Sequence, residues 1–188
     1  GSSEEATLTK DFNDKKVPYL CYTALYYARC TPQSEILLNN LEDELLDAMK
    51  PRVEECFVQL KKELDSKAHE SFIADEQNIT INIIPGKVII NVDRDITQTK
   101  SDRTESFSHF GFTLSSPLQI MNSVTHEIIS QEIKLCNSNY VELMRLHPSI
   151  EITKFNTGDD NKIYTIKDKD SERGWSFALR NCVLATPN

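Results

Sequence analysis

The chain has 188 residues, 39% of them apolar and 27% charged, with a formal charge of −8 from 29 acidic and 21 basic side chains. Such a length supports one domain burying about 70% of its unfolded surface. The acidic balance, with no Lys/Arg run to interrupt it, sets aside nucleic acid and anionic membrane surfaces as partners, and no segment reaches the roughly 18 consecutive apolar residues that span a bilayer.

Gly1-Ser2-Ser3 reads as an expression-vector scar, so the natural N-terminus is expected to have been cut away, and any signal peptide or membrane anchor would have gone with it. Residues 1–16 are polar and without periodicity, a flexible lead-in, which leaves 17–188 as a single domain. The segment from Val17 through Tyr27 is apolar and aromatic. Its tyrosines, Tyr19, Tyr22, Tyr26 and Tyr27, make the best candidate for a contact surface. The alternative is that they pack on the body with their hydroxyls at the rim.

Pro32-Gln33-Ser34 offers a helix start, with Ser34 as N-cap and Glu35 in the favourable first turn. Leu37, Leu38, Leu41, Leu45 and Met49, continued by Val53, Cys56, Phe57, Leu60 and Leu64, form a helical stripe. Pro51 lacks an N–H and clashes with the carbonyl of Asp47, which predicts a kink or a fresh start there.

From Ile79 the period changes to two. Ile79, Ile81 and Ile83 share one face, Pro85-Gly86 supplies the turn, and Val88, Ile90 and Val92 return, which is the strongest hairpin signal in the chain. Further strands are predicted at about 94–100 and 105–114, joined by a polar loop at 97–105, with Phe110, Phe112 and Leu114 alternating. Ser115-Ser116-Pro117 opens a second helix, with proline at its first position. Met121, Val124, Ile128 and then Glu132 or Ile133 follow at helical spacing. Ile150 and Ile152 return to strand, and 163–167 with 175–179 make a last hairpin around 168–173. The fold class predicted is α+β: a long N-terminal helix and a second helix packed on an antiparallel sheet of hairpins.

Cys21, Cys30, Cys56, Cys136 and Cys182 are scattered, with no C-x-x-C, and this spacing is not that of a structural zinc site. Two readings stand. In one, Cys21–Cys30 and Cys136–Cys182 are disulfides of an oxidising compartment, and the odd count leaves one thiol free. In the other, all five are reduced and buried.

No motif establishes a reaction, and no catalytic, cofactor or metal residues are assigned. His126-Glu127-Ile128-Ile129-Ser130 opens like the H-E-x-x-H helix of zinc peptidases, but serine stands where the second histidine must be. With five glycines in all, the chain has no phosphate-cradling loop and no nucleophile elbow. The acidic clusters at 159–161 and 168–170 lack the ligand spacing of a calcium loop and fall where turns are predicted. Asn78-Ile79-Thr80 is a lone glycosylation sequon, consistent with a surface position.

Val17-Pro18-Tyr19, Leu41-Glu42-Asp43-Glu44-Leu45, Ile84-Pro85-Gly86-Lys87-Val88, Ser116-Pro117-Leu118, Ile163-Tyr164-Thr165-Ile166 and Phe177-Ala178-Leu179-Arg180 together resemble segments of uncharacterised membrane-anchored, pilin-like surface proteins of small-genome (DPANN) archaea. The resemblance covers most of residues 17–183. It implies an extracytoplasmic α+β domain carried by an N-terminal hydrophobic helix, a non-catalytic role, and a protein partner or self-assembly in a pilus-like or cell-contact structure. Proteins of that kind have a further cysteine and a Gly-Gly segment upstream, which this chain lacks; the missing cysteine would leave Cys56 as the unpaired one. The alternatives are an intracellular adaptor with reduced cysteines and a hydrolase with scattered catalytic residues.

Overall fold

A computed structural model of the chain describes residues 8–25, 28–33, 37–66, 70–100 and 103–181. In chain order its elements are β1 (Thr9–Phe12), β2 (Lys15–Tyr22), β3 (Thr31–Pro32), α1 (Leu37–Ser66), β4 (Glu70–Ile73), β5 (Asn78–Ile84), β6 (Lys87–Lys100), β7 (Arg103–Ser115), α2 (Leu118–Leu135), α3 (Tyr140–Leu146), β8 (Ile150–Asn156), β9 (Asn161–Asp168) and β10 (Gly174–Arg180). The class is α+β. The described residues fall into two compact units, the first drawn from Gly1–Glu35 and Ile120–Asn188, the second from Ile36–Gln119.

In the second unit, β5 and β6 form the hairpin expected at Pro85-Gly86, with Ile81 opposite Ile90 and Ile83 opposite Val88. Gly86 takes φ +76°, a backbone state that costs glycine nothing and a side-chain-bearing residue about 1–2 kcal/mol. Strand β6 does not stop at 93. It runs on as a 14-residue strand, pairing β4 beyond the hairpin on the same side as β5 and β7 along its other side. The polar loop expected at 97–105 is therefore mostly strand, because Thr97 and Thr99 lie opposite Ser106 and Thr104 in the ladder. Helix α1 is long, at 30 residues, but it is not N-terminal, since three strands precede it. It continues through Pro51 as one element. Leu41, Leu45, Met49, Val53, Phe57, Leu60 and Leu64 pack on the isoleucine face of the sheet, and that burial offsets the missing hydrogen bond. Its expected cap at Ser34 and Glu35 lies outside the described residues.

Polar contacts also tie α1 to the sheet. Glu42 Oε1 accepts the backbone N–H of Ile83 at 2.7 Å, which occupies a donor on the edge of β5. Arg94, buried at the bulge between Asp93 and Ile96, donates to Glu54 Oε2 at 2.7 Å and to Ala74 O at 2.7 Å, and its guanidinium lies 4.7 Å from the Phe57 ring centre. Phe112 and Leu114, which alternate along the expected strand, are 57% and 56% exposed. They lie on β7, which pairs only with β6 among the described residues.

In the first unit, the sheet order is β1-β2-β10-β9-β8, with β3 added beside β2. It is mixed, not antiparallel throughout, because β2 and β10 run parallel. Residues 9–16, expected as part of a flexible lead-in, are mostly strand. Asn13 and Asp14 take φ of 50° and 60° between the paired residues Phe12 and Lys15, the twist a two-residue hairpin needs and one that Asn and Asp tolerate. The sheet curls until its first strand reaches its last, with Phe12 and Phe155 ring centres 5.1 Å apart and Lys10 paired with Asp159. One face buries Val17, Tyr19, Ile163 and Ala178 together. Helix α2 is tied to the strands by hydrogen bonds, among them Trp175 Nε1 to Thr125 Oγ1 at 3.2 Å. Helix α3, not anticipated from the sequence, is capped by Asn139, whose Oδ1 accepts the N–H of Glu142 at 3.3 Å.

Candidate functional site

Cys21 and Cys30 form a disulfide with a Cα–Cα distance of 5.4 Å. Both residues are buried, and Asn181 Oδ1 accepts the N–H of Cys30 at 2.8 Å. The bridge closes the connection from β2 to β3 against the end of β10. Cys136 is also disulfide-bonded; its expected partner, Cys182, lies outside the described residues. Cys56 is a free thiol exposed on α1.

Of the four tyrosines, two lie among the described residues. Tyr19 is only 6% exposed, and its hydroxyl donates to Asn161 Oδ1 at 2.7 Å. Tyr22 is half-buried, stacks edge-on against Tyr19 at 5.1 Å and accepts from Arg180 at 3.3 Å. Tyr26 and Tyr27 lie outside the described residues. The acidic cluster at 159–161 is turn chemistry. Lys10 and the Thr157 hydroxyl donate to the Asp159 carboxylate, and these bonds, with one from Asn161, hold it well below the usual carboxylate range.

Sequence reading missed the polar centre at the C-terminal end of α2. Glu132 is fully buried. Its Oε1 accepts from the Tyr164 hydroxyl at 2.5 Å and from Lys154 Nζ at 3.4 Å, and its Oε2 accepts from Lys162 Nζ at 2.6 Å. Ser138 Oγ donates to Tyr164 at 2.8 Å, Lys154 Nζ also reaches Asn137 Oδ1 at 2.6 Å, and Lys162 Nζ reaches the Cys136 carbonyl. Burial lowers the Lys154 pKa, Glu132 opposes that shift and Lys162 adds to it. Burial raises the Tyr164 pKa, and the neighbouring Glu132 carboxylate raises it further. Both oxygens of this enclosed carboxylate are thus engaged by side chains of β8 and β9. The one signal in the sequence was a glutamate falling within the apolar stripe of α2.

A pH dependence follows. In the unfolded chain Tyr164 ionises near its ordinary value of 10.0, whereas in the folded unit it holds its proton to higher pH. Its contribution is fully present below about pH 10 and is lost as pH rises above that value. The urea midpoint read by Trp175, the single tryptophan, should therefore fall steeply above pH 10. Tyr164→Phe should flatten that fall without abolishing it, because burial also raises the Tyr19 pKa. An unchanged alkaline slope in the variant would refute the assignment.

The open site of this unit lies where its sheet divides. The parallel register of β2 and β10 begins at Tyr19 opposite Ala178. N-terminal to that point the strands part, and residues 15–18 pair only with β1 while 174–177 pair only with β9, among the described residues. The fork holds a cavity of about 450 Å³ with Phe12 and Val17 as apolar wall, Thr165 and Ser176 as hydroxyls, and Lys15, Lys16, Lys167 and Glu172 as charges. Lys167 is 3.4 Å from Glu172, and the side chains of Lys15 and Lys16 have no ionic or hydrogen-bonding partner among the described residues. Gly174 stands so close to β9 that a Cβ there would fall 2.2 Å from the Ile166 carbonyl oxygen; no other residue fits at that position of the fork. Comparison with protein-family models, curated proteins and solved structures finds no match.

Proposed function

We propose that this chain is a non-catalytic, extracytoplasmic interaction domain of a membrane-anchored protein, engaging a protein partner or further copies of itself in a pilus-like or cell-contact assembly. The observation that carries the reading is the buried Cys21–Cys30 disulfide. Such bonds form and persist in oxidising compartments and are rare where thioredoxin and glutathione keep thiols reduced. No described helix is long and apolar enough to cross a membrane, and the anchor in this reading is the N-terminal hydrophobic helix that the resemblance implies. The resemblance to pilin-like surface proteins of small-genome archaea supports the same placement. The exposed thiol of Cys56 favours the alternative, an intracellular adaptor.

The test is the intact mass of the protein taken from its native cells, alkylated under denaturing conditions with and without prior reduction. Membrane-impermeant biotinylation of whole cells accompanies it. The reading expects a single alkylated cysteine before reduction, all five after it, and surface labelling. Five alkylated cysteines without reduction, together with no surface label, would sink it.

A further inference from the structure

The fork between β2 and β10 leaves main-chain groups without strand partners. Asp168 donates its N–H to Arg173 O at 2.8 Å, which sets the phase of the β9–β10 ladder. Residues 173, 175 and 177 exchange bonds with β9, and the N–H and C=O of Gly174 and Ser176 turn to the other side. The Thr23 N–H reaching Arg180 O at 3.0 Å on that other side agrees with this phase. Register with β9 is unbroken along β10. On the facing strand, Tyr19 donates to Leu8 O at 2.8 Å, so residues 15, 17 and 19 serve β1. The main chain of Lys16 turns into the fork, and Pro18 has no N–H to offer there. An edge of unpaired donors and acceptors is a template for another strand.

We propose that the fork binds an extended acidic peptide segment of a partner protein, which adds as a strand along Gly174–Phe177 of β10 and places its carboxylates on Lys15 and Lys167. This deepens the reading as an interaction domain and rests on it. The choice of occupant comes from charge and from shape. Three lysines against one glutamate line the cavity, in a chain whose overall charge is −8. The cavity of about 450 Å³ lies within the usual range of about 300–1,000 Å³ for ligand pockets. Strand addition draws affinity from main-chain hydrogen bonds and specificity from alternate side chains. By strand alternation Lys15 and Lys167 share a face with Phe12 and Val17, so the acidic side chains on that face of the peptide meet the two lysines with their stems against Phe12 and Val17, and Lys16 stands on the opposite face.

Fluorescence anisotropy on the whole, oxidised chain tests this with a labelled octapeptide of alternating Glu and Val. The controls are a Lys/Val octapeptide, the Glu/Val peptide N-methylated at alternate residues, and free glutamate and inorganic phosphate as competitors. Saturable binding of the Glu/Val peptide is expected, weakened by salt, with none of the Lys/Val peptide. Lys15→Glu with Lys167→Glu should weaken binding about tenfold, the size of two partly exposed ion pairs. N-methylation should cost about as much. Lys15→Glu alone serves as a second variant, and circular dichroism checks that each variant is folded. Absence of saturable binding overturns the proposal. So does equal binding of the N-methylated peptide, which marks a contact of charge alone, or full competition by millimolar glutamate or phosphate, which marks a small-anion site. Any of these with the disulfides intact leaves the interaction reading standing, whereas free thiols throughout would remove that reading itself.

Discussion

Glu132→Gln is expected to destabilise the first unit by about 3–5 kcal/mol, the cost of removing one partner from a buried charge cluster. The substitution keeps the shape and removes the charge. Lys162 Nζ, 2.6 Å away, and Lys154 Nζ, at 3.4 Å, then face an amide, with Lys162 and Lys154 side chains only 17% and 10% exposed. The Tyr164 hydroxyl keeps an acceptor but loses its charged one. Trp175 reports on this unit through its bond to Thr125 on α2, so its fluorescence in urea reads the loss directly. Replacing the cluster as a whole is a different experiment. Glu132→Leu with Lys154→Met and Lys162→Met should recover most of the stability, since no charge is left unpaired. A midpoint unchanged in Glu132→Gln would show that water reaches the lysines and that the centre is not closed.

Breaking the Cys21–Cys30 bridge by Cys21→Ser with Cys30→Ser should cost the first unit about 2–3 kcal/mol. The closed loop is short, with a sequence separation of 9, so the entropy withheld from the unfolded chain lies at the low end of the usual range. The loss should appear in Trp175 fluorescence. It should also appear as faster proteolysis in the segment that joins β2 to β3, because among its described residues the two-residue pairing, the Thr23 N–H to Arg180 O and the Asn181 contact to Cys30 are what then hold it. The double serine variant melting with the parent would mean that the bridge adds nothing that β3 and Asn181 do not already supply.

The features legible beforehand were local ones. The Pro85-Gly86 hairpin needs residues only a few positions apart, and its β-branched alternation states which face is buried. The leucine stripe of α1 and the apolar stripe of α2 follow from 3.6-residue spacing. A disulfide between Cys21 and Cys30 requires closing only a short loop. The β1–β2 hairpin was legible in principle through Asn13-Asp14, but its strands are polar, and polarity read as a lead-in. Phe112 and Leu114 show the converse: alternation marks a strand but not whether anything covers its face.

What the amino-acid order determined by itself, then, is the α+β class, the two long helices and the hairpins at 79–92 and 163–179, because these depend on dihedral preference and periodicity within a dozen residues. Tertiary structure alone decided which segments gather into each of the two compact units, that Glu132 is enclosed by Lys154, Lys162 and Tyr164, and that the sheet of the first unit divides at Tyr19 and Ala178. Each of those rests on pairing across long stretches of chain. The β2–β10 junction joins residues near opposite ends of the sequence, and strand propensity states that a segment will pair without stating with which partner, in which direction, or where the pairing stops.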